Sequence, residues 1–174
     1  MTDQRQLHVL KFPWLAHGHI TPFLELAKSL TSYGLKISFL STQLDIERIK
    51  QKLQPSLGIR QVQLPIPSVD GLPTGVKSTS DLSRIGALNL MPLPCKALDL
   101  CVKPFEELLK LLSPDFVIPD MVQYWAPRVA AKLGIPTVHF EPSFHWSLSD
   151  TLCVDFYYRR FKVWSSVRCS SSAV

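Results

Sequence analysis

The sequence predicts an α/β fold: a doubly wound, mostly parallel sheet with helices on both faces. Three observations lead there. Short apolar runs alternate with segments of three- and four-residue apolar spacing from the N-terminus to about residue 150, the signature of strands joined by crossover helices. The 174 residues are 46% hydrophobic and 19% charged, a globular composition, and a chain of this length buries roughly 70% of the surface it exposes unfolded. No internal repeat or low-complexity tract interrupts the alternation, so residues 1–150 read as one domain.

The elements follow in order. "LHVLKF" (7–12) is a short, mostly apolar run suited to a strand buried on both faces. Ile20, Phe23, Leu24, Ala27 and Leu30 then recur at helical spacing, with Thr21 expected as N-cap, Pro22 as the first helical residue and Gly34 as the stop. Gly18 is expected to let the backbone turn tightly off the first strand. "KISFLS" (36–41) is a second strand, "LDIERIKQKL" (44–53) a short helix and "IRQVQLP" (59–65) a third strand. "PIPSVDGLPTGVKSTSD" is too rich in turn residues to be regular. A mainly helical region from about Leu82 to Leu112 is broken near "MPLP", and "DFVIPD" (115–120), "QYWAPRVAAKLG" (123–134) and "PTVHFEP" (136–142) complete the pattern as strand, helix and strand. Residues 151–174 break the rhythm and read as a divergent, poorly ordered tail; a surface-lying amphipathic segment is the alternative.

Charge narrows the function. Of the net +5, the last 24 residues carry +3, with Arg159, Arg160, Lys162 and Arg168 against Asp155, which leaves the body close to neutral. No basic face with interleaved aromatics occurs in that body, so a nucleic-acid partner is not expected. The start has no charged segment leading into an apolar one, and no stretch approaches 18 apolar residues. The expectation is a cytoplasmic protein without a membrane span. The four cysteines lack zinc spacing and read as reduced thiols.

In a doubly wound sheet, ligands bind beyond the carboxyl ends of the strands where strand order reverses. With the order 3-2-1-4-5, strands one and four meet at that point. The loop after strand one holds "HGHITP" and the loop after strand four begins at Asp120, so topology brings a histidine turn and a carboxylate together. An imidazole whose second nitrogen is held by a carboxylate can take a proton from a hydroxyl at neutral pH. Other uses of the turn find less support. A metal held by His17 and His19, with His139 and Glu141, lacks a recognised spacing. The single glycine does not make a G-x-G-x-x-G cradle, and there is no G-x-S-x-G elbow.

Three blocks, "VLKFPWLAHGHITPFLELAKSL", "PSVDGLPTGVKSTSDL" and "PDFVIPDMVQYWAPRVAAKLGIPTVHF", resemble in order and spacing the N-terminal half of plant small-molecule UDP-sugar glycosyltransferases, nearest the branch acting on flavonoid or terpenoid glycosides. The resemblance covers roughly Leu7 to Asp150. It implies the N-terminal domain of a GT-B architecture, in which two Rossmann-like domains face each other across a cleft, the acceptor mostly on the first and the UDP-sugar on the second. It implies His19 as the base, Asp120 as its orienting partner, and displacement at the anomeric carbon with inversion and without metal. The UDP-sugar is a co-substrate and no cofactor is implied. The small-molecule acceptor is expected near Trp14, with Tyr124 and Trp125 as further candidates or core residues of their helix, and the donor sugar near Gly18 and Ser143.

The family's donor motif has no counterpart in these 174 residues. The expectation is therefore a truncated domain that is inactive alone. A non-catalytic binding module, pairing with another chain through an exposed sheet edge, is the alternative. One departure stands beside the site: Pro119 precedes Asp120 and removes an amide donor there.

Overall fold

All five residues of β1 (His8–Phe12) are buried, as a strand covered on both faces requires. The computed structural model describes residues 5–14, 16–50, 55–73, 75–76 and 79–140. The expected tail, Ser143 and the end of the fifth strand lie outside these described residues. β1 leads into α1 (His17–Ser32), β2 (Lys36–Ser41), α2 (Gln43–Lys50) and β3 (Arg60–Gln63). Then come α3 (Thr79–Arg84), α4 (Pro92–Asp99), α5 (Val102–Leu112), β4 (Phe116–Pro119) and α6 (Ala126–Lys132). The sheet order is β3-β2-β1-β4 and every pairing is parallel. The reversal point therefore falls between β1 and β4, as the alternation predicts.

Strand alternation sends side chains to two cores. Leu10 and Phe12 pack with Phe105 and Leu109 of α5 and with Trp125, Val129 and Ala130. Val9 packs on the other face with Ile20, Phe23, Leu24 and Ala27 of α1. Lys11 shares that second face and has no exposed surface. Its Nζ donates to the Phe23 carbonyl at 2.6 Å and lies 5.1 Å and 5.5 Å from the ring centres of Phe23 and Phe140. Burial alone pulls this amine down from its ordinary 10.5 to about 7.

Several boundaries differ from the sequence reading. The first helix begins at His17, not Pro22, and Thr21 is no N-cap. The extended Ala16 caps the helix, its carbonyl accepting the His19 and Ile20 amides at 3.0 and 2.9 Å. Pro22 sits inside the helix, where its missing N–H forfeits one hydrogen bond near the N-terminal end. Gly18 is one of the helical residues and its φ is not positive; a Cβ there would meet nothing within 4 Å, so no tight turn depends on it. Gly34 does stop the helix: its φ is 82°, and the Leu35 amide reaches back to the Leu30 carbonyl at 3.2 Å.

The region from Leu82 to Leu112 is more broken than its spacing suggests. A 3-10 turn at Leu88–Leu90 follows Gly86, and a second interruption falls at Leu100–Cys101. Pro104 explains the latter, because it cannot donate to the Leu100 carbonyl and the helix must restart. The expected strand at 136–142 is reduced, among the described residues, to one bridge between Val117 and Thr137. Val117 accepts the Val138 amide at 2.9 Å and donates to Pro136 at 3.0 Å. Two residues on, the same edge of β4 presents Pro119, which has no N–H for the next rung.

Candidate functional site

The site forms where β1 and β4 leave the sheet. The Asp120 amide donates to the Phe12 carbonyl at 2.9 Å, which carries the β1–β4 pairing one residue past Pro119. Ile118 belongs to the core under α1, so Asp120, two residues later, sends its side chain to that same face. There the first turn of α1 presents His19. The His19 Nδ1 and Asp120 Oδ2 atoms are 2.8 Å apart, across 101 residues of sequence.

Main-chain donors hold the carboxylate from the other sides. The Trp14 amide donates to Oδ2 at 3.3 Å and the Val122 amide to Oδ1 at 3.3 Å. Asp120 has no exposed surface, whereas a quarter of the His19 side chain is exposed. A ligand can therefore reach the imidazole but not the carboxylate. Because a carboxylate only accepts, Nδ1 carries the proton in the neutral ring and Nε2 keeps a lone pair. Such an imidazole can take a proton from a hydroxyl placed within hydrogen-bond reach.

The other sequence candidates are distributed differently. Trp14 is 6% exposed and its indole joins the core with Phe12 and Phe105; its contribution at the site is its amide. Trp125 stacks edge-on against Phe12 and Phe105, with ring centres 5.9 and 5.3 Å away, and is buried in that core. Tyr124 is half-buried and packs against the same cluster. Gly18 is exposed one residue before His19, and Ser143 lies outside the described residues. Among the described residues no group of three or more His, Cys, Asp or Glu side chains could hold a metal ion, and no helix is long and apolar enough to cross a membrane. Cys101 is buried, and that burial together with the charge of Asp99 pushes its thiol up to about 11.

One residue here escaped the sequence reading. Gln123 has no exposed surface, donates from Nε2 to the Pro13 carbonyl at 3.0 Å and from its amide to the Asp120 carbonyl at 3.3 Å. The only signal for it was a single amide side chain in the otherwise apolar stretch "MVQYWA".

No family model matches the chain. Individual proteins do. UDP-glycosyltransferase 79A2 of Stevia rebaudiana is 42% identical over 142 residues, covering 79% of this chain and 30% of that protein. The anthocyanidin-3-O-glucoside rhamnosyltransferase of Petunia hybrida is 42% identical over 134 residues, 77% of this chain and 28% of its own length. Among solved structures, Arabidopsis thaliana UGT89C1 complexed with UDP-L-rhamnose superposes with a TM-score of 0.66 at 24% identity, over 78% of this chain and 36% of that one, a likeness of fold. The chain thus spans about 30% of the length of the relatives it matches. Over that span, it belongs to the plant UDP-glycosyltransferases.

Proposed function

We propose that this chain is the acceptor-binding, base-carrying half of a UDP-sugar glycosyltransferase acting on a hydroxyl of a plant secondary metabolite. The observation that carries the reading is the 2.8 Å contact between a part-exposed His19 and a fully buried Asp120 at the sheet's reversal point. His19 Nε2 takes the proton of the acceptor hydroxyl as its oxygen attacks the anomeric carbon. The bond from that carbon to the UDP oxygen breaks, the configuration inverts, and UDP leaves with the electron pair. Asp120 keeps the proton on Nδ1 and stabilises the imidazolium that forms. The name of the Petunia hybrida relative, an anthocyanidin-3-O-glucoside rhamnosyltransferase, supports a flavonoid-type glycoside as acceptor, held on the exposed side of His19.

The donor UDP-sugar is assigned to residues that these 174 do not supply. Taken by themselves they should bind acceptor and release no UDP. Fused to the donor half of UDP-glycosyltransferase 79A2, they should transfer sugar, and H19A should lower kcat by about 10²- to 10⁴-fold while acceptor affinity changes little. A coupled assay for UDP and a calorimetric titration with a flavonoid glycoside measure both. Transfer by the fusion that survives H19A, or UDP release by the 174 residues alone, defeats the proposal.

A further inference from the structure

We propose that Gln123 is the positioning residue of this site, acting by gripping the Pro13–Trp14 peptide so that its N–H points at Asp120. The inference rests on the reading of Asp120 as the partner that orients His19. A trans peptide is planar, with its C=O and N–H directed to opposite sides. The carbonyl of this peptide is Pro13's, and it accepts from Gln123 Nε2 at 3.0 Å. Its N–H is Trp14's, and it donates to Asp120 Oδ2 at 3.3 Å, on the oxygen that also meets His19 Nδ1. Holding one end of the plane therefore aims the other.

Gln123 is itself anchored at both main-chain groups. Its N–H donates to the Asp120 carbonyl and its C=O accepts the Ala126 amide at 2.8 Å, at the start of α6. The side chain is buried and yet half satisfied, since Oε1 has no hydrogen-bond partner among the described residues. A buried acceptor left alone opposes folding. Methionine would fill the same space without that cost, so what glutamine supplies is the Nε2–H donor.

The test is amide exchange and imidazole nitrogen NMR on the 174-residue chain at pH 8. In the unaltered chain the Gln123 carboxamide protons should exchange slowly, and His19 should show the Nδ1–H tautomer. In Q123M the Trp14 amide should exchange at least about tenfold faster, while the Leu10 and Val117 amides keep their protection and His19 moves towards a mixture of tautomers. Q123N, one methylene short of Pro13, should behave likewise and serves if Q123M does not fold. A fast-exchanging Gln123 carboxamide in the unaltered chain overturns the proposal without any variant. So does an unchanged Trp14 amide, or a loosening shared equally by Leu10 and Val117, which marks an ordinary core contact. D120A separates the two roles: with no acceptor left for Nδ1–H, His19 should move towards a mixture of tautomers, and if it does not, the orienting role of Asp120 fails, whatever Gln123 does to Trp14.

Discussion

Lys11 sits under α1 with an amine that, among the described residues, meets one carbonyl and two aromatic rings and no carboxylate. An ammonium there is short of solvation, and burial brings its pKa to about 7 against 10.5 for a free lysine. The unfolded chain keeps this proton up to about pH 10.5 and the folded chain releases it near 7. Between those values the unfolded state binds more protons, so stability rises with pH across that window and is lowest below it. K11M should flatten the rise. It should gain on the order of 3–5 kcal/mol over the parent at pH 6, and the gap should close above pH 10.5. Urea unfolding of both proteins across that range measures the effect, and a parent whose stability does not change between pH 7 and 10 contradicts it. The sequence could not show this: "LHVLKF" reads as a strand buried on both faces, but nothing local says that its lysine finds no route to water.

At the level of elements, special residues at the ends decide more than the apolar spacing within. Gly34 ends α1 at a φ of 82°, and a Cβ there would meet nothing within 4 Å. The cost of G34A is therefore backbone strain alone, about 1 kcal/mol, visible as a lower urea midpoint at constant slope. Repacking elsewhere is not needed to explain it, so no change in the near-ultraviolet spectrum is expected. The same logic separates what could be read in advance from what could not. The element order follows from alternation, because each apolar period needs a partner layer, and the pairing of strands one and four follows once the order 3-2-1-4-5 is taken for the sheet. The start of α1 does not follow: Pro22 reads as a first residue, yet the helix begins five residues earlier at His17, behind the extended Ala16. Pro119 could be read as a lost donor, but only the bridge at Val117 shows which edge of β4 loses it.

Over the whole molecule, two cores hold the sheet from opposite faces. Phe12, Phe105 and Trp125 form the aromatic centre of one, with the Phe12 and Phe105 rings 5.1 Å apart. F105A should cost about 3–5 kcal/mol, a large share of the 5–15 kcal/mol typical of a domain, and thermal unfolding followed by circular dichroism reports it. The convergence of His19 and Asp120 was legible because topology alone fixes which loops meet. The shell around them was not, since Trp14 and Val122 contribute only main-chain amides, and a sequence lists side chains. That shell gives the site an uneven tolerance to evolutionary change. The amide at position 14 is supplied by any residue except proline, so conservative replacements of the indole spare the contact with Asp120. Inserting or deleting one residue between Phe12 and His19 would instead misalign the peptide plane and the imidazole together. Lineages of this chain should therefore drift in composition along that segment while holding its length constant.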